Sequence, residues 1–281
     1  MSTTFVFVPG AASSSFHWAP MMRELALLGH RSLAVDLPGH GFGATFPAAY
    51  QAPQDLAALA TAPSHMAGRT LADNVAHVVE TIKQVAEHGP VVLVGHSRGG
   101  LTTTAAGNAI PDLISRIVYV SAWCCVEEGP GDYHAGPENA SSVLHRTAAL
   151  IAANPMDIGA LRFNWRTADP ELLAALKEAT LADGTDDEFL AMLNTLEPDE
   201  GLDVGEPSDR AQAETWGRIP RTYIRLTADQ SMPVALQDRF IREADALTPG
   251  NPFDVHSLDS SHNGFLIRPR ETAEILSSLA I

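Results

Sequence analysis

Residues 90–100 read Pro-Val-Val-Leu-Val-Gly-His-Ser-Arg-Gly-Gly, an apolar β run that ends in Gly95-x-Ser97-x-Gly99 and passes straight into a helix-compatible stretch. A serine at the tip of such a strand-to-helix turn is held in a strained backbone conformation, and Gly95 and Gly99 have no Cβ to collide with the neighbouring strand and helix. The hydroxyl is pushed clear of the sheet, which is the layout of a nucleophile elbow. Gly-x-Ser-x-Gly alone recurs by chance in glycine-rich chains. The weight of the reading lies on the four apolar residues before the motif and the helix after it.

Strands alternate with helices around this point. Phe5 to Val8 and Leu33 to Val35 are short apolar runs flanked by turn residues, and Trp18, Met22, Leu25 and Leu28 fall between them at helical spacing. Leu71, Val75, Val78, Val79, Ile82 and Val85 mark one face of a further helix, with Thr70 as N-cap and Asp73 echoing a capping box. Further strands are expected at Ile117–Val120, Thr222–Leu226 and Phe253–Leu258, and a closing helix at Ala273–Leu279. Six strands joined by helical crossovers imply an α/β fold with a mostly parallel sheet covered on both faces. The Ala-, Pro- and Gln-rich stretch 46–68 reads as a surface loop with one helical turn around Leu56 and Leu59.

Between about Glu127 and Gly217 the alternation stops. Helices are expected near Val143–Ala153, Pro170–Leu181 and Asp187–Leu196, and no strand. The division is therefore a core of 1–126 and 217–281 and a helical cap of 127–216 inserted after the fourth strand. Ligands of open α/β sheets bind beyond the carboxyl ends of the strands, so a cap there roofs the elbow. Phe163, Trp165, Phe189 and Met192 are candidates for that roof, each equally readable as ordinary cap core.

With 34 acidic against 18 basic side chains the formal charge of the 281 residues is −16, which opposes a nucleic-acid or anionic-membrane partner. The opening Met-Ser-Thr-Thr-Phe-Val-Phe-Val-Pro has no basic region and too short an apolar run for a signal peptide or membrane span, so a cytoplasmic location is expected. Cys124 and Cys125 are adjacent and read as buried thiols beside Trp123. No His or Cys pair shows metal-ligand spacing, and no cofactor is called for. A homodimer is compatible with the sequence.

Taken together, Phe5-Val-Phe-Val-Pro-Gly-Ala11, Trp18, Leu27-Leu-Gly-His-Arg31, Val35-Asp-Leu-Pro-Gly-His-Gly41, Val91 to Gly100, Tyr223-Ile224 through Asp229 to Gln237, and His262 resemble the α/β-hydrolase fold. Within it they are most similar to the branch of plant hydroxynitrile lyases and salicylate-type methyl esterases. The resemblance covers the sheet-forming parts at both ends of the chain and is weak in the cap.

A serine hydroxyl needs a base. The resemblance points to His262, in the loop after the last strand, which completes the chain order Ser, Asp, His used by this fold; His256 lies inside the strand, and His96 reads as a packed supporting residue. His17, His40 and His65 read as loop or pocket-lining residues. The resemblance assigns the acid to Asp229, in the loop after Thr222–Leu226. The alternative position after the fourth strand, Ser121-Ala-Trp-Cys-Cys125, holds no carboxylate. Asp259 is too near His262 in sequence to be the first choice. For an oxyanion hole, one N–H is expected from Arg98, directly after the serine, and the resemblance points to Ala11 for the other. Many relatives carry His-Gly where this chain has Pro9-Gly10. The Arg98 side chain is expected at the surface or in a salt bridge.

Lyases of that branch use a threonine after the first strand and a lysine after the histidine; here those positions are Gly10 and Asn263. The expectation is a serine hydrolase acting through an acyl-enzyme on a small or medium apolar ester, with Gly10, Trp123, Phe163, Trp165, Met192 and Phe265 around the substrate. The alternatives are a lyase that borrows the triad as a base and a non-catalytic ligand-binding relative. A nucleotide-binding reading, invited by Asp36 after the second strand, lacks Gly-x-Gly-x-x-Gly in the first turn.

Overall fold

In the computed structural model, which describes residues 2–281, every side chain from Val91 to Val94 is fully buried. Val91 and Leu93 enter one apolar cluster and Val92 and Val94 another, because successive strand residues face opposite sides of a sheet. A strand with two buried faces has to be central, and it is. Around it run β1 (Thr4–Val8), α1 (Ala19–Leu27), β2 (Arg31–Ala34), α2 (Leu56–Thr61), α3 (Leu71–Ala86), β3 (Val91–Ser97), α4 (Gly99–Ala109) and β4 (Arg116–Ala122). The chain then leaves the sheet through α5 (Pro130–Ala135), α6 (Pro155–Ile158), β5 (Ala160–Arg162), α7 (Pro170–Leu181), α8 (Asp186–Leu193) and β6 (Asp199–Gly201). It returns with β7 (Arg221–Leu226), α9 (Val234–Leu247), β8 (Asp254–Leu258), α10 (Gly264–Ile267) and α11 (Arg270–Ser278).

The six-stranded sheet has the order β2-β1-β3-β4-β7-β8 and every pairing in it is parallel. The expected α/β sheet flanked by helices is therefore present. Residues of α1 and α11 pack with Phe5, Phe7, Val118, Val120 and Ile224 on one face; residues of α3, α4 and α9 pack with Val6, Val8, Ile117, Tyr119 and Tyr223 on the other. Thr70 and Asp73 form the expected reciprocal capping box at the start of α3.

The excursion between β4 and β7 departs from the all-helical expectation. β5 and β6 form a two-stranded antiparallel ladder, and Leu144–Leu150 is a 3₁₀ segment where a longer helix was expected. Three-residue strands reading Ala-Leu-Arg and Asp-Glu-Gly carry no alternating apolar signal. What holds them is a buried ion pair: Arg162 Nε and Nη2 each lie 2.6 Å from the carboxylate of Asp199, and Nη1 donates to the carbonyls of Leu59 and Ala62. That fork also ties the excursion to α2. α7 covers Pro170–Leu181 as expected, and Asp169 caps it, with Pro170 in its first turn.

Candidate active site

Ser97 ends β3 with a φ of +52°, a left-handed backbone that a non-glycine residue rarely adopts. Close packing explains the glycines around it. A Cβ on Gly95 would sit 2.4 Å from Thr103 Oγ1, and one on Gly99 2.4 Å from the carbonyl oxygen of Pro9. The second contact brings α4 against the loop after β1, and Gly10 of that loop reaches the serine: a Cβ there would lie 3.0 Å from Ser97 Cβ. Ser97 is partly exposed, and its Oγ makes no hydrogen bond among the described residues.

His262 and Asp229 meet although 33 positions separate them. Nδ1 of the imidazole lies 2.6 Å from Asp229 Oδ2, so Nδ1 carries a proton and Nε2 faces away from the carboxylate. Asp229 is buried and its oxygens are fully engaged: Oδ1 accepts the N–H of Ser231 at 2.7 Å and of Met232 at 2.8 Å, and Oδ2 also accepts the Ser121 hydroxyl at 2.6 Å. Asp259 is exposed; Asp254 pairs with His256 at the sheet edge, and Asp238 pairs with Arg225.

Ser121 was not singled out by sequence. It is the penultimate residue of β4, with a φ of +38°, and opens the stretch 121–125 that the sequence offered as the alternative acid position; its hydroxyl reaches the carboxylate from the neighbouring strand. The only signal for it was the absence of a carboxylate at that position.

His96 lies beneath the site. Its Nε2 donates to the backbone carbonyl of His262 at 3.0 Å, and its ring packs at 4.6 Å from the His262 ring and 5.0 Å from that of Phe265. Burial, with the neighbouring charge of His262 second, pushes its pKa well below the ordinary value and keeps it neutral. His96 is thus a neutral support.

The excursion grips both loops. Thr180 O accepts the Asn263 N–H at 2.9 Å, Asp183 accepts the Ser261 hydroxyl, and Ala179 O accepts the Ser231 hydroxyl at 2.7 Å. Of the residues expected around a substrate, Gly10 adjoins Ser97 and Phe265 lies buried between Trp18 and His96. Met192 and Phe189 are buried in the excursion's own apolar cluster, and Phe163 and Trp165 stack at 4.6 Å on its margin. Trp123 packs on Phe240. Cys124 and Cys125 are buried free thiols, raised to about 12 and beyond by burial. Asp36 accepts the Ser15 N–H at 2.7 Å and orders the turn after β1.

The N–H of Ala11 and of Arg98 have no acceptor among the described residues. Gly10 O accepts the Ser13 hydroxyl at 2.8 Å, and in a trans peptide this turns the Ala11 N–H the opposite way. The Arg98 side chain spans to the carbonyls of Gly201 and Asp203 at 2.8 and 2.6 Å. Among the described residues no cluster of His, Cys, Asp and Glu is arranged to hold a metal, and no helix is long and apolar enough to cross a membrane.

Comparison with known proteins gives consistent matches. A family model described as the alpha/beta hydrolase family matches residues 5–275. Methylesterase 18 of Arabidopsis thaliana is 25% identical over 282 residues, spanning 98% of this chain and 96% of its own. Polyneuridine aldehyde esterase of Rauvolfia serpentina is 24% identical, spanning 98% and 95%. Among solved structures, a pyrethroid hydrolase from Sphingobium faniae superimposes with a TM-score of 0.71 at 21% identity over 98% of this chain and 96% of that one.

Proposed function

The chain belongs to the alpha/beta hydrolase family, and from that premise we propose that it is a serine esterase that cleaves a small or medium apolar carboxylic ester, a methyl ester, aryl ester or lactone, through an acyl-enzyme. The observation that carries this reading is the 2.6 Å pair between His262 Nδ1 and the fully bonded carboxylate of Asp229, at the end of the sheet where Ser97 stands in a left-handed turn. Relatives named as methylesterase and as aldehyde esterase support the reaction class.

In this reading Ser97 Oγ attacks the ester carbonyl carbon as its proton passes to His262 Nε2. Asp229 holds the Nδ1 proton and offsets the imidazolium charge. The carbonyl oxygen, now negative, accepts the N–H of Ala11 and Arg98. The carbon–oxygen bond to the alcohol breaks, the alcohol leaves with the proton from His262, and water repeats the sequence on the acyl-serine. Residues 127–216 act as the cap over this site. Glycine and asparagine at positions 10 and 263 leave no cation to receive a cyanide leaving group, which favours hydrolysis over cyanohydrin cleavage.

The test is product analysis on a panel of methyl esters, aryl esters and lactones of aromatic acids, with Ser97→Ala as control. Acid and alcohol in equal amounts from the open-chain esters, and the hydroxy acid from the lactones, are expected with the wild type and not with the variant. Turnover that survives Ser97→Ala, or cleavage of a carbon–carbon bond alone, would overturn the reading.

A further inference from the structure

Ala12, next to the proposed oxyanion donor Ala11, has a φ of +54°, where an L side chain is strained and something must hold the backbone. The residues that hold it come from the excursion. Ala12 N–H donates to Glu200 Oε2 at 2.7 Å, and Ala12 O accepts the N–H of Glu197 at 2.8 Å. One short segment thus grips both polar groups of the strained residue.

The segment is itself anchored by charge. Glu197 and Glu200 are both buried, and buried carboxylates need partners. His40, also buried, puts Nδ1 2.6 Å from Glu197 Oε2 and Nε2 3.7 Å from Glu200 Oε1. The N–H of Gly41 closes on Glu197 Oε1, the N–H of Gly201 on Glu200 Oε1, and Arg98 Nε stands 3.8 Å from the same Glu200 oxygen. Trp165 Nε1 donates to Glu197 O at 2.7 Å. Arg98 is also the residue whose N–H is the other proposed oxyanion donor. The Ala12 backbone and the Arg98 side chain therefore meet at Glu200.

We infer that Glu200 is a positioning residue for the ester reaction, fixing the Ala12 backbone so that the Ala11 N–H is aimed at the developing oxyanion, and that the excursion in this way assembles the oxyanion hole as well as covering it. The inference rests on the esterase reading above. Its chemical consequence is selective. An oxyanion exists only in the transition state, so a misaimed N–H lowers kcat and leaves ground-state binding nearly unchanged.

The experiment uses the full chain with p-nitrophenyl acetate as substrate and a phenyl trifluoromethyl ketone as inhibitor. The ketone adds Ser97 Oγ to its carbonyl carbon and places the resulting oxyanion in the hole; benzyl alcohol serves as a neutral ligand that forms no oxyanion. Glu200→Gln presents an amide NH2 to Ala12 N–H or to Gly201 N–H, whereas Glu200→Asp keeps the charge beside His40 but falls one methylene short of Ala12. In a variant folded by circular dichroism, kcat is expected to fall about 30-fold or more, about the loss for one oxyanion donor or somewhat less. Trifluoromethyl ketone affinity should fall in proportion, with KM and benzyl alcohol affinity within about threefold of wild type, and Ala12→Gly, which adopts the left-handed turn without strain, should partly restore kcat. If Glu200→Gln does not fold, the same comparison is made with Glu200→Asp. A folded variant with kcat near wild type, or a fall in kcat without a matching loss of ketone affinity, overturns the proposal while Ser97-dependent turnover keeps the esterase reading. Absence of Ser97-dependent turnover in the wild type removes both.

Discussion

Replacing Asp229 by Asn is the sharpest perturbation of the proposed triad, because the structure fixes which way the amide must turn. Two backbone N–H groups, of Ser231 and Met232, donate to Oδ1 at 2.7 and 2.8 Å. An NH2 placed there would meet two donors, so the amide oxygen keeps that position and the NH2 takes the place of Oδ2. It then faces the Ser121 hydroxyl, which can rotate to accept, and His262 Nδ1, which can accept only by giving up its proton. The imidazole is locked with its proton on Nε2, the nitrogen that has to take the proton of Ser97. Every hydrogen bond is kept in some form, so the fold should survive. Turnover should fall by about 10⁴, the cost of the same tautomer reversal in serine proteases. The assay is kcat on an aryl ester across pH 5–9 beside circular dichroism, with exposed Asp259→Asn as the companion variant. Near-normal turnover by folded Asp229→Asn, or a crippled Asp259→Asn, would show that the acid has been misassigned.

Ser97→Ala should lower ester turnover by about 10⁴ or more with the melting temperature unchanged, and a phosphonylating reagent should add one mass increment, on Ser97; labelling elsewhere with Ser97 untouched would refute the elbow. Ser121→Ala removes a hydroxyl donated to a buried carboxylate and should cost about 2 kcal/mol in urea unfolding, a figure that an unchanged midpoint would contradict. Gly99→Ala would press a Cβ to 2.4 and 2.8 Å from the carbonyl oxygens of Pro9 and Val8; since backbone has to shift, a loss of about 2 kcal/mol or more is expected in the same measurement. For pH dependence, burial opposes the charged form of His40, but the hydrogen bonds and charges of Glu197 and Glu200 outweigh it and raise it to about 9 from 6.5. Stabilisation by this contact is therefore complete below pH 6.5 and lost as pH rises through about 9, worth about 3 kcal/mol between pH 6 and 10. His40→Gln should lack this alkaline loss in unfolding curves measured over that range, and an identical loss in the variant would assign it to another group.

Local signals carried the sequence reading a long way. The apolar run of β3 has to be central because both its faces are hydrophobic, and the Thr70–Asp73 box is written within four residues. The elbow motif implied the left-handed turn at Ser97, and the resemblance to the α/β-hydrolase fold implied the meeting of His262 with Asp229; the structure has both features. The supporting groups were not legible, since each works through a partner far along the chain: Arg162 with Asp199 at 37 positions, Ser121 with Asp229 at 108, Ala12 with Glu200 at 188. No periodicity encodes such a pair.

The run Glu-Pro-Asp-Glu at 197–200 shows why the difference matters for function. Nothing in the sequence singled it out: it is three acids in four residues within a chain of net charge −16. All three are buried. Burial reverses the meaning of the charge, because a carboxylate withdrawn from water has to be met by donors: His40, Arg162 and the backbone N–H groups of Ala12, Gly41 and Gly201. Burial opposes the charge on Glu200, yet His40, Arg98 and Ala12 together hold it ionised down to about pH 2. Glu200 therefore stays ionised across the neutral pH range. Three loops that are remote in sequence, those after β1, β2 and β3, converge on this one segment of the excursion through Ala12, His40 with Gly41, and Arg98.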